Sequence, residues 1–91
     1  MMADAIGGPV TDVVDGDTFD MDVTYRGEKN TEKYNDKERV RIAGINAPEI
    51  GTEGGKKAKK ELEKKISDKE VRCTVRARDT YGRIVADIKI L

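Results

Sequence analysis

Alternation with a period of two dominates this chain. Val71, Cys73, Val75 and Ala77 alternate with Arg72, Thr74, Arg76 and Arg78, and Ile84, Ala86, Ile88 and Ile90 alternate with Val85, Asp87 and Lys89. Successive side chains of a strand point to opposite faces, so each run predicts a strand with one buried face. Upstream, Val10 to Val14 reads as a strand and Asp15-Gly16-Asp17 as a tight turn. Thr18 to Tyr25 is the return strand, with Phe19, Met21, Val23 and Tyr25 on one face. Glu38 to Ile45 supplies a third strand through Val40 and Ile42. Only one segment has a helical period: Ala58, Leu62 and Ile66 recur at four-residue spacing, predicting a helix over Lys56 to Ser67 that begins just after Gly54 or Gly55.

The resulting order is strand, strand, strand, helix, strand, strand. A chain of 91 residues holds one core, and closure is the device that hides so many strand edges in so short a length. The expected fold class is therefore mainly β with one helix, a five-stranded closed or partly closed barrel in the order of the OB-fold. Residues 1–9, MMADAIGGP, are small and punctuated by Gly and Pro, so they are expected to form a flexible lead-in to a domain over 10–91. Residues 26–37, RGEKNTEKYNDK, have no apolar period and are expected to be an exposed loop or a hairpin extension beyond the core, without chemistry.

Composition removes several chemistries. The chain has no His, and its Ser67 and Cys73 are the only residues of their types, so neither a Ser-His nor a Cys-His nucleophile pair can be assembled within it. Zinc sites of the Cys/His kind are excluded on the same ground. Carboxylates, guanidinium, ammonium and phenol groups remain for catalysis, and hard oxygens remain for metals such as calcium or magnesium. Cys73 alternates with Val71 and Val75 and reads as core. The 18 basic and 18 acidic residues cancel, but residues 1–25 carry six Asp and no Lys or Arg, which leaves the rest of the chain basic. No apolar run approaches a membrane span and the N-terminus lacks a signal pattern, so a soluble chain without a membrane partner is expected. Its compartment stays open, a mature secreted form included.

Three short segments concentrate the functional groups: VVDGDTF at 13–19, RIAGINAPE at 41–49 and DTYGR at 79–83. Each has an ordinary reading by itself. Asp15-Gly16-Asp17 is a common hairpin turn, Arg41 a solvent-facing strand residue, Glu49 an exposed loop acid, and Arg83 a partner for Asp79 or Asp87. Together, in this order and with a helix between the last two, they resemble the staphylococcal nuclease-like (thermonuclease) family over roughly Val10 to Ile90. The resemblance implies a calcium-dependent phosphodiesterase acting on DNA and RNA, built on an OB-fold barrel. It makes Asp17 a metal ligand with Asn46 and, through its backbone carbonyl, Ala47. It makes Arg41 and Arg83 the arginines on the scissile phosphate and Glu49 the acid that activates water. Tyr81 either packs under its turn or stacks on a base, and Thr80 stands beside it in the substrate-binding segment.

The chain also departs from that family. Asn46 replaces an Asp, which removes one negative charge from the metal set and predicts weak binding of one divalent cation. Thr80 stands where a phosphate-contacting Lys is common. The family's two C-terminal helices do not follow Leu91, so the apolar Ile88, Ile90 and Leu91 are expected to seek cover in a homodimer or under a further segment. A nuclease-like OB module that binds nucleic acid or a protein partner without cutting is the alternative function. Lys56, Lys57, Lys59 and Lys60 crowd the start of the helix. They read either as a phosphate-attracting patch with Arg72, Arg76 and Arg78 or, preferably, as a solvated face.

Overall fold

The computed structural model describes residues 4–91. Six strands and one helix follow in the order β1 (Asp4–Asp15), β2 (Thr18–Asp22), β3 (Tyr25–Arg26), β4 (Lys37–Ile42), α1 (Glu53–Ile66), β5 (Glu70–Arg78) and β6 (Ile84–Ile90). The sheet order is β2-β4-β6-β5-β1-β3, and a further pairing of β1 with β2 joins the ends into a closed five-stranded barrel, with β3 as a two-residue extension. All strand pairs are antiparallel except β4 and β6, which run parallel with Val40 beside Ile84 and Arg41 beside Val85. This is the expected mainly β barrel with one helix.

The interior is built from the alternating residues. Val13, Phe19, Met21, Val40, Ile42, Val71, Cys73, Val75, Ile84 and Ala86 point inward and are buried, and Leu62 and Ile66 of α1 join them. The Cys73 thiol lies 3.8 Å from the Met21 sulfur. Burial pushes its pKa up to about 12, so it is an inert core residue.

Several details differ from the sequence expectations, among them the third strand, which is Lys37–Ile42 and stops short of Ile45; four others have a physical reason in strand pairing and loop contacts. The expected lead-in is strand from Asp4 onward: Asp4 to Pro9 pair with β5 and bury Ile6, while residues 1–3 lie outside the described residues. Small residues and Gly hide strand character from periodicity, because they carry little apolar signal. The ladder of β2 ends at Asp22, and the inward alternation runs through the buried Val23 but not to Tyr25. Tyr25 sits in β3, 41% exposed, with the Arg72 guanidinium 3.8 Å from its ring centroid. Ala77 is exposed because a bulge between Val75 and Ala77 resets the β5 register against β6.

The fourth difference is the polar segment after Arg26, which is tied to the barrel. The buried Asp4 carboxylate accepts hydrogen bonds from the Thr31 and Glu32 amides at 3.0 and 3.1 Å and from the Tyr34 hydroxyl at 2.7 Å. Tyr34 is itself buried against the core. At the other end of the barrel Ile90 and Leu91 are 42% and 60% exposed.

Candidate functional site

The turn that joins β1 to β2 is wedged into place. A β-carbon on Gly16 would lie 2.6 Å from Ala58 Cβ of α1 and 2.7 Å from Ala47 Cβ, distances no real pair adopts. Glycine is therefore needed at position 16, and its small size presses the turn against both the helix and the 43–52 loop. Asp17, the next residue, is 8% exposed. Its Oδ1 accepts from the Thr18 hydroxyl at 2.8 Å and its Oδ2 accepts from the Ala47 amide at 3.1 Å.

Arg41 stands opposite Thr18 across the β2–β4 ladder. Its Nη2 lies 3.8 Å from Asp17 Oδ2, donates to the Ile45 carbonyl at 3.1 Å and donates to Asn46 Oδ1 at 2.5 Å. Asp17, Arg41, Asn46 and Ala47 thus form one hydrogen-bonded cluster. Its charges are uneven. Burial and the neighbouring Asp17 raise the pKa of Asp15. Burial also opposes the charge of Asp17, but hydrogen bonds from Asp15, Ala47 and Thr18 and the Arg41 guanidinium hold Asp17 below its ordinary value.

Arg83 comes from the turn before β6. Asp79 organises that turn: its Oδ1 accepts from the Tyr81 and Arg83 amides, both at 2.9 Å, and its Oδ2 accepts from Arg83 Nε at 2.7 Å. Burial disfavours the Asp79 charge, yet the Arg83 guanidinium and these amides lower its pKa. The parallel pairing sets β6 beside β4, so Arg41 and the residue before Ile84 belong to the same outer face. Tyr81 projects into solvent, 83% exposed, with the Arg83 guanidinium 5.2 Å from its ring centroid. Of the two readings of Tyr81, packing under the turn is not what the structure places there. Thr80 is exposed at the tip of the same turn.

Glu49 lies outside the hydrogen-bonded cluster. Its side chain is exposed and has no hydrogen-bond or ion-pair partner among the described residues. Its backbone is held instead. The Glu49 carbonyl accepts from the Thr52 hydroxyl at 2.7 Å, and a β-carbon on Gly55 would lie 1.9 Å from that oxygen. Thr52 is also the N-cap of α1, accepting from the Gly55 amide at 3.0 Å, and Glu53 occupies the favourable first turn. The helix therefore starts at Glu53 and includes both glycines. Capping chemistry at Thr52 outweighs the low helix propensity of Gly54 and Gly55.

Two supporting residues carry no signal in the sequence. Glu38, 6% exposed, pairs with Arg78 at 3.2 Å, and Arg78 Nη1 donates to the Gly82 carbonyl at 2.8 Å, bracing the turn that carries Arg83. Arg76 is paired with Asp87 and Arg72 lies over Tyr25. All three β5 arginines are thus engaged away from the helix lysines, in keeping with the solvated-face reading of Lys56, Lys57, Lys59 and Lys60.

The Asp17 carboxylate and the Asn46 amide oxygen are hard oxygen atoms of the kind a hard cation takes, and each accepts hydrogen bonds from this chain. Among the described residues no three His, Cys, Asp or Glu side chains gather as a metal-binding group.

Barrel and site together define an OB-type domain with an arginine-rich outer face beside a turn carboxylate. Residues 39–91 match the family described as staphylococcal nuclease homologue, and this chain belongs to that family. It is 43% identical over 63 residues to the probable staphylococcal-like nuclease CAN1 of Oryza sativa subsp. japonica, covering 69% of this chain and 18% of that protein. It is 40% identical over 60 residues to the staphylococcal-like nuclease CAN1 of Arabidopsis thaliana, covering 66% of this chain and 19% of that protein. An uncharacterized 38.1 kDa protein of Capnoides sempervirens is 38% identical over 71 residues, 75% of this chain and 21% of that protein. The chain spans about a fifth of the length of these relatives. No helix among the described residues is long and apolar enough to cross a membrane.

Proposed function

We propose that this domain hydrolyses phosphodiester bonds of DNA and RNA with calcium as its metal ion. The observation that carries the reading is the joining of Asp17, Arg41, Asn46 and Ala47 in one cluster, with Arg83 on the same outer face. Membership of a nuclease family and the names of the rice and Arabidopsis relatives support it.

Attack of water on a phosphodiester builds negative charge on the non-bridging oxygens. Arg83 is fixed through Nε by Asp79, which leaves both of its Nη groups without a partner among the described residues and available to those oxygens. Arg41 supplies the second fork from β4. The Glu49 carboxylate, in a chain without His, takes the proton of the attacking water. The phosphorus–oxygen bond to the 5′-oxygen breaks, that oxygen takes up a proton, and the cut leaves a 3′-phosphate. Asp17, Asn46 and the Ala47 carbonyl would hold the cation, which when bound supplies charge neutralisation at the phosphate and a more acidic water.

A cleavage assay on single-stranded DNA with calcium and with chelator tests the proposal. Cutting that needs calcium and falls about a hundredfold or more in Glu49→Gln and Arg83→Ala supports it. Binding of DNA without any cutting would replace it with the non-catalytic module reading.

A further inference from the structure

The groove beside the site holds a residue that none of the three sequence motifs contains. Arg39 lies two residues before Arg41 on β4, on the same face. The parallel register places Val40 beside Ile84, so one step back along both strands sets Arg39 beside Arg83. Arg39, Tyr81, Gly82 and Arg83 line one open groove on the barrel surface. Asp20, directly across the β2–β4 ladder, fixes the Arg39 guanidinium through Nε at 2.8 Å and Nη2 at 3.2 Å. Its Nη1 has no partner among the described residues.

Arg39 therefore repeats the arrangement of Arg83. In each, an aspartate holds the guanidinium through Nε, and N–H groups are left without a partner among the described residues: Nη1 of Arg39 and both Nη groups of Arg83. An arginine pre-oriented in this way loses little side-chain freedom when it takes a phosphate. Along the outer face Arg41, Arg83 and Arg39 form a row of guanidinium groups, paired with Asp17, Asp79 and Asp20, with the exposed ring of Tyr81 beside it. Repeating negative charge flanked by flat rings is the chemistry of a single-stranded polynucleotide.

We infer that Arg39 is a further binding residue for single-stranded nucleic acid, holding a backbone phosphate next to the one at Arg41 and Arg83. This rests on the proposed nuclease reading for its register, but not on cutting. Arg39 also supplies a cation in a groove whose turn bears neutral Thr80 at its tip.

The test is fluorescence anisotropy with a fluorescein-labelled oligothymidylate in chelator, where binding is read without cleavage. Arg39→Ala should weaken binding roughly fivefold to tenfold and flatten the dependence of log affinity on log salt by about 0.7. Arg26→Ala removes an arginine paired with Asp36 elsewhere on the surface and should change neither. Arg39→Gln keeps the stem and a donor for Asp20, and should behave as Arg39→Ala if charge at the groove is what matters. Affinity within twofold of wild type in Arg39→Ala or Arg39→Gln, or an equal loss in Arg26→Ala, overturns the inference. Binding that depends on Arg39 in a protein that never cuts would leave the Arg39 contact standing and remove the nuclease proposal. Cutting with no Arg39 dependence of binding does the reverse.

Discussion

Asp4 at the start of β1 and Asp17 in the turn that follows β1 are two buried carboxylates, 6% and 8% exposed, and they are used in opposite ways. Asp4 is surrounded by neutral donors alone: the Tyr34 and Thr31 hydroxyls and the Thr31 and Glu32 amides converge on it from one loop. Its charge is stabilised and its oxygens are occupied. Asp17 has two neutral donors, a guanidinium 3.8 Å away and a second acid two residues earlier whose pKa is raised. A carboxylate saturated by its own chain fastens a loop. One that shares its space with a like charge and a cation keeps an electrostatic demand that a ligand can meet.

Exchanging each acid for its amide is the sharpest test of that contrast. Asp17→Asn should lower cutting by about a hundredfold or more, since it removes the one formal charge of the proposed cation set, yet shift Tm less than Asp4→Asn because Asp15 is relieved of repulsion. Asp4→Asn should leave cutting intact and lower Tm. The opposite pattern in paired cleavage and melting measurements would erase the distinction. Arg41→Ala should resemble Asp17→Asn in cleavage.

Gly55→Ala probes how the site half is held. A β-carbon 1.9 Å from the Glu49 carbonyl must displace backbone, so it should cost about 2 kcal/mol in denaturant unfolding and reduce cutting together. Unchanged cutting would detach Glu49 from the helix start. Asn46→Asp should tighten calcium binding about tenfold by calorimetric titration, because a carboxylate attracts a dication more than an amide does. Equal affinities would mean that position 46 does not meet the ion.

The smallest effect is in pH dependence. The Tyr34 hydroxyl first, then the Thr31 and Glu32 amides against the opposing effect of burial, hold Asp4 below its ordinary pKa. A depressed folded-state pKa gives stability that is full above the unfolded value of about 3.9 and lost as pH falls through the folded one. The Tm gap between wild type and Asp4→Asn should therefore be widest near neutrality and narrow as pH falls below the unfolded carboxylate value. A constant gap would show that the Asp4 charge does not hold the loop.

Alternation was enough to read the barrel interior from the chain, because period two is a local property of a strand: Phe19, Met21, Val40, Ile42, Val71, Cys73, Ile84 and Ala86 are all buried. The three charged segments were legible for the same reason, each lying within a few residues of chain. What the chain could not disclose depends on partners far apart in sequence. Asp4 to Pro9 became strand because β5 supplied a ladder some 65 residues away, and RGEKNTEKYNDK became an anchored loop because Asp4 gathered its donors. Ladder hydrogen bonds and buried carboxylates gain their energy from groups that only folding brings together. Arg39 is the clearest case. In the sequence it is one of two arginines alternating with Val40 and Ile42, and only the parallel pairing of β4 with β6 sets it beside Arg83, 44 positions later. Local periodicity determined which side chains face inward, while the strand order decided which outward charges became neighbours.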